Sequence, residues 1–211
     1  MSRKTRTVLK VGVWVACLLP LACLVYWAAV GELTANPIDF VTDTLGIWAL
    51  RLLLASLALT PLRLVSGAAW PVAFRRLLGL FAFFYAVLHL GIWALLDHFL
   101  DWPRMLADLL GRRYIMAGLL AVLLLLPLAA TSTRGMVRRL GGRGWRRLHR
   151  LVYPAALLAV LHYLWLAKPG FRPPLFYAAV LALLLGIRLW DAARRRLARA
   201  RGRSSGAPSA R

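Results

Sequence analysis

Six long apolar blocks separated by short polar stretches organise the chain: roughly Val8–Val30, Leu45–Leu64, Leu77–Leu96, Tyr114–Ala130, Leu151–Ala167 and Leu175–Trp190. Each approaches the ~20 residues needed to cross about 30 Å of hydrocarbon at 1.5 Å per residue, and the last three are the short ones. No segment alternates apolar and polar residues with period two, which argues against a transmembrane barrel. The pattern predicts an all-α membrane protein, a six-helix transmembrane bundle over 8–191. A short N-terminus (1–7) precedes it. A basic tail (192–211) follows and is expected to be disordered, most clearly after Arg203. Between the third and fourth blocks, Trp102-Pro103 reads as a helix start. The leucines and methionine after it predict a short interfacial helix over 103–111.

Composition and charge add an orientation. The chain is 61% hydrophobic, against about half for a soluble domain. A net charge of +21 raises nucleic acid as a partner. The spacing excludes it, because the basic residues sit in short clusters between apolar runs and leave no soluble module to present a basic face. With the N-terminus inside, the segments 1–7 (with Lys10), 61–76, 131–150 and 188–211 hold 22 of the 28 basic residues. The opposite loops hold six of the seven acids: Glu32, Asp39, Asp43, Asp97, Asp101 and Asp108. The excess of Lys and Arg on one side predicts cytoplasmic termini in a bacterial inner membrane. Cys17 and Cys23 lie inside the first apolar run and read as small core residues. Pro20-Leu21-Ala22 before Cys23 faintly resembles a lipoprotein cleavage box, but the run continues through Val30, long enough to span.

Candidate chemistry rests on the histidines. Ionisable side chains inside a span are costly and mark function. His89 lies 12 residues past Leu77 and His162 lies 11 past Leu151, so they sit about 18 and 16 Å in from the cytoplasmic side. Two imidazoles at one depth on two co-directional helices can clamp one iron axially. That arrangement favours electron transfer over oxygen chemistry, because no coordination position stays open. His149 lies 13 residues before His162, about 20 Å lower and about 140° round the helix unless Pro154 distorts it. It is either a second redox site near the cytoplasmic face or an interfacial basic residue among Arg146, Arg147 and Arg150. Arg75 and Arg76 occupy the matching depth on the third helix. His98 falls in the outer loop. Phe81 and Tyr85 share the face of His89, where aromatics would suit a macrocycle; Trp93, Tyr153, Tyr163 and Trp165 lie near the other histidine positions. Arg51, read as about six residues inside the outer end of the second helix, either snorkels outward or neutralises a buried anion such as a haem propionate.

The run TSTRGMVRRLGGRGWRRLHRLVYPAALLAVLHYLWLAKPG (131–170), with NPIDFVTDTLGIWALRLLLASLALTPLR (36–63) and FRRLLGLFAFFYAVLHL (74–90), resembles the MsrQ or YedZ family. These are haem-binding membrane subunits of the periplasmic protein-methionine-sulfoxide reductase system. They belong to the ferric-reductase-like transmembrane group that includes the NADPH oxidases. The resemblance implies haem b on His89, His149 and His162, and an association with FMN. It implies electrons from quinol or a cytosolic flavin reductase, and delivery to a periplasmic molybdopterin-containing reductase. The chain would then be an electron-transfer subunit rather than the catalytic one. Two other readings of the intramembrane histidines stand beside it: a small transporter or proton relay, and a structural membrane anchor.

Overall fold

A computed structural model describes residues 3–168 and 170–204. Among them every regular element is helical: α1 (Arg3–Val30), α2 (Pro37–Ser66), α3 (Arg75–Ile92), α4 (Trp102–Gly111), α5 (Arg113–Ala130), α6 (Arg134–Leu148), α7 (Val152–Leu166) and α8 (Pro173–Ser204). A 3-10 turn (Trp70–Phe74) leads into α3, a π turn (Trp93–Asp97) ends it, and a second 3-10 turn (His149–Leu151) leads into α7. The protein is a multi-pass helical membrane protein. Five helices are long and apolar enough to cross a bilayer: α1, α2, α3 with its flanking turns, α5 and α8. The sixth expected span, α7, has 15 residues, about 22 Å.

Local chemistry explains where the boundaries depart from the apolar blocks. Helix α2 starts eight residues before Leu45, because Pro37 supplies a preset φ at the first helical positions and no breaker follows. It ends at Gly67, whose left-handed φ of 70° lets its N–H reach the Arg63 carbonyl. The short helix expected over 103–111 forms as α4, with Asp101 capping the Arg104 N–H. The stretch expected as the 131–150 loop is largely helix α6, broken at Gly141 (φ 67°). Thr133 caps it, and the Trp145 indole N–H donates to the Thr131 carbonyl at the end of α5. Pro154 lies in the first turn of α7, where its missing N–H costs nothing, so it does not distort the helix. Helix α8 runs to Ser204, so residues 192–204, expected in the disordered tail, are helical; 205–211 lie outside the described residues.

Two helical hairpins make the centre. Helix α2 packs along α3 and α5 along α7, with α3 against α5 between them. Helix α8 covers α2 and α7, and α1 lies on α2 and α3. Leu45, Leu53, Leu57, Tyr85, Leu125, Ala155, Ala156 and Val160 are among the buried residues of this core. Helix α4 joins the two hairpins at one end of the bundle, and α6 connects α5 to α7 at the other.

Tyr85 ties α1 to this centre. Its hydroxyl donates to the Cys17 carbonyl (2.7 Å) and accepts from the Leu21 N–H (3.2 Å), the two backbone groups four residues apart that flank Pro20 in α1. Phe81, one turn earlier, meets Trp14 edge-on. The two aromatics sharing the His89 face are therefore spent on α1. Tyr85→Phe should lower stability by about 1–3 kcal/mol, the cost of leaving buried polar groups without a partner, read as a fall in thermal midpoint in detergent. An unchanged midpoint would show that α1 recloses its own bond.

Candidate functional site

His89 on α3 donates its Nδ1–H to the Thr42 carbonyl of α2 at 2.8 Å. His162 on α7 does the same to the Tyr114 carbonyl of α5 at 2.7 Å. The acceptors are backbone carbonyls, which can only accept, so each Nδ1 carries the proton and each Nε2 keeps its lone pair. The ring centres stand 6.0 Å apart with planes at 81°. Among the described residues, no protein group is hydrogen-bonded to either Nε2.

Each ring rests on a glycine. A Cβ added at Gly46 would lie 3.0 Å from the His89 Nδ1, and one at Gly118 would lie 2.8 Å from the His162 Nδ1. Gly46 follows Thr42 by four residues and Gly118 follows Tyr114 by four. The two hairpins thus repeat one construction: a carbonyl in the first turns of the leading helix, a glycine one turn on, and a histidine near the end of the returning helix. The repeat is parallel, so both halves meet at the α4 end.

His149 stands apart at the α6 end. Its ring stacks on Trp145 (3.8 Å, 27°), and its Nδ1 pairs with the Trp145 carbonyl. Its Nε2 is buried without a partner. Burial holds its pKa below the usual histidine range, so the ring is neutral near pH 7. No group of three or more His, Cys, Asp or Glu side chains gathers for a bare metal ion among the described residues.

Sequence reasoning left several participants without a role. His98, placed in the loop, is only 3% exposed. Its Nε2 meets Asp108 (3.0 Å) and its ring lies on Trp93 (4.4 Å). Asp108 pairs with Arg112 (3.3 Å), which donates to the Tyr114 hydroxyl (3.2 Å). A polar chain therefore runs from the π turn after His89 to the residue whose carbonyl holds His162. The i, i+4 spacing of Asp108 and Arg112 was the available signal; the fold supplied the rest. Arg188, counted with the tail cations, reaches the Leu57 carbonyl, which Pro61 leaves without its helical donor, and donates to Tyr153 (3.0 Å). Its Nε is buried and unpartnered. Near the second histidine, Tyr163 packs on Tyr177 (5.9 Å) and Trp165 lies under Arg113 (5.6 Å). Arg51 is fourteen residues inside α2 rather than six, because α2 starts at Pro37.

The family model for the ferric reductase like transmembrane component matches residues 45–160, over half of the chain. A relative from Rhodospirillum rubrum is 54% identical, covering 95% of this chain and 93% of its own. One from Ralstonia nicotianae is 47% identical (89% and 87%), and one from Herminiimonas arsenicoxydans 45% (90% and 88%). Each is named the heme-binding subunit MsrQ of protein-methionine-sulfoxide reductase. The chain belongs to the MsrQ family. The ferric-reductase-like match takes in Gly46, His89, Gly118 and His149 and stops two residues before His162. The full-length MsrQ relatives extend the likeness over nearly the whole chain.

The glycine seats are the most specific feature of this MsrQ-family site. Gly118→Ala should push the His162 ring off the Tyr114 carbonyl and cost about 1–3 kcal/mol, the range for overpacking. Gly46→Ala, with slightly more room, should cost less. Thermal unfolding gives the cost, and ¹⁵N spectra of labelled histidine report the Nδ1–H. An unmoved Nδ1 signal in Gly118→Ala would contradict the seat.

Proposed function

We propose that this protein is a membrane electron-transfer subunit that holds haem b between His89 and His162. The observation that carries the reading is the pair of imidazoles 6.0 Å apart, each with Nδ1–H committed and Nε2 free. Two rings bound to one iron through nitrogen at about 2.0 Å, with a ring radius of about 1.2 Å, would have centres roughly 6.4 Å apart. The match is within a few tenths of an ångström. A histidine that ligates a metal usually donates its other N–H to a carbonyl or carboxylate, which fixes its tautomer and raises its basicity. Thr42 and Tyr114 are placed to do that. When bound, the haem would supply a one-electron iron couple, with His89 and His162 as the residues that would hold it through their Nε2 atoms. The names of the relatives support the same cofactor.

The wider reading puts the termini and α6 on the cytoplasmic side of a bacterial inner membrane, supported by the distribution of Lys and Arg. His89 and His162 then lie near the periplasmic face. The electron donor is quinol or a cytosolic flavin reductase, and the acceptor a periplasmic molybdopterin-containing reductase. Reducing one methionine sulfoxide to the thioether and water takes two electrons and two protons, hence two one-electron deliveries. His149 serves electron entry or a second cofactor. FMN rests on the resemblance.

His89→Ala and His162→Ala should each abolish the same low-spin haem band, and the double variant should look like either single one, as for residues acting as one unit. His149→Ala should leave that band in place. A bis-histidine spectrum surviving in His89→Ala would show the pairing to be wrong.

The α4 segment is the natural docking face for the acceptor. Trp102, Leu106 and Leu110 form one exposed stripe (69%, 56% and 72%) on the end of the bundle nearest the histidine pair. Replacing Trp102, Leu106 and Leu110 together with serine, which leaves His98 and Asp108 in place, should keep the haem band while electron delivery to the reductase, added on the side opposite the termini, falls at least about tenfold. Undiminished delivery would move the docking site elsewhere.

A further inference from the structure

Arg51 is a cation in a membrane span that forms no ion pair with a carboxylate among the described residues. Its Nε donates to the Tyr177 hydroxyl (2.9 Å), and its guanidinium lies 5.0 Å from the Trp48 ring centre. A charge in hydrocarbon calls for a counter-charge, so the two remaining NH₂ groups of Arg51 mark a place for an anion.

The surroundings define which anion. Arg51 stands at the head of a groove of about 270 Å³ between α2 and α8, lined by Leu54, Ala55, Ala58, Phe176, Tyr177 and Val180. Residues 51, 54, 55 and 58 share one face of α2, and the two alanines make the trough. It runs about 10 Å along the helix from Arg51 to Ala58, away from the α4 end. Arg51 is rooted fourteen residues inside α2, but its side chain reaches Tyr177, four residues, about 6 Å, from the start of α8, so the polar head of the groove is turned toward that end of the bundle. A donor-rich cation turned toward that end and an apolar trough leading away from it match a molecule with an anionic head and a hydrocarbon tail.

We propose that the α2–α8 groove is a phospholipid site, with the phosphate held by Arg51 beside Tyr177 and an acyl chain along Leu54, Ala55, Ala58 and Val180. A free anion would gain nothing from the apolar trough. A neutral amphiphile would leave the cation uncompensated. The lipid closes the crevice beside Tyr177, whose ring packs on Tyr163, the neighbour of His162. This site is independent of the haem reading.

The test is native mass spectrometry of the full chain from mild detergent, before and after exposure to phosphatidylglycerol vesicles. Vesicles doped with diacylglycerol, which has the same tails without phosphate, serve as control. The wild type should retain one phospholipid. Arg51→Gln should reduce retention about tenfold, a loss of the order of one charge-assisted contact. Ala58→Leu, which fills the trough and keeps the guanidinium, should do the same by the other route, so misfolding of one variant leaves the question answerable. Diacylglycerol should not compete. Equal retention in wild type and both variants overturns the site, as does retention of a quinone in place of phospholipid. A haem band shifted in Arg51→Gln at unchanged lipid retention would assign Arg51 to a haem carboxylate and also overturn it.

Discussion

Hydrocarbon offers no water to a stray N–H or C=O, so every polar group inside a span has to find its partner within the protein. That constraint shapes this molecule repeatedly. His89 and His162 each place one ring nitrogen on a backbone carbonyl. The Tyr85 hydroxyl partners the Cys17 carbonyl and the Leu21 N–H of α1 beside Pro20. Arg188 reaches the carbonyl that Pro61 strands on α2. Once these pairings are made, the buried side-chain atoms without a partner among the described residues are the Nε2 of His149 and the Nε of Arg188, and the Nε2 atoms of His89 and His162 likewise keep their lone pairs. Where satisfaction is the rule, the exceptions are the places to look for ligands.

The same constraint explains the glycines. A histidine on one helix reaches a carbonyl on its neighbour only if the backbones come close and nothing stands between. Gly46 and Gly118 provide that clearance, with any Cβ at 3.0 Å or less from the ring nitrogen. Neither glycine needs an unusual φ; both lie in regular helix. The requirement is for space, and it links two residues more than forty positions apart.

That separation marks what can be read from the chain alone. Periodicity and length find the long spans, because burying apolar surface in lipid leaves a signature in every block. Depth counting pairs His89 with His162, because rise per residue is nearly constant in a helix. The seats Gly46 and Gly118 escape, since a glycine inside an apolar run looks like any small residue until its partner helix is known. The early start of α2 and helix α6 escape because polar residues there break the apolar signal while caps and packing still favour helix. The chain through His98, Asp108 and Arg112 escapes because it closes across the π turn and two residues in left-handed backbone, Phe99 and Leu100, a path no local rule anticipates.

The symmetry of the two hairpins bears on what the site is. An inverted repeat would set its two constructions at opposite depths, the arrangement that lets a transporter expose one central site to either side in turn. Here the repeat is parallel. Thr42, Gly46 and His89 in one hairpin, and Tyr114, Gly118 and His162 in the other, bring their rings to one level at one end of the bundle. Each hairpin contributes half a site with the same tautomer and the same free nitrogen, so what the halves can share is something that accepts two lone pairs. A proton moving along a relay needs a donor paired with an acceptor, and with both Nδ1–H groups committed the two Nε2 atoms offer only acceptors. A shared metal centre is the chemistry that this equivalence of the two halves would fit.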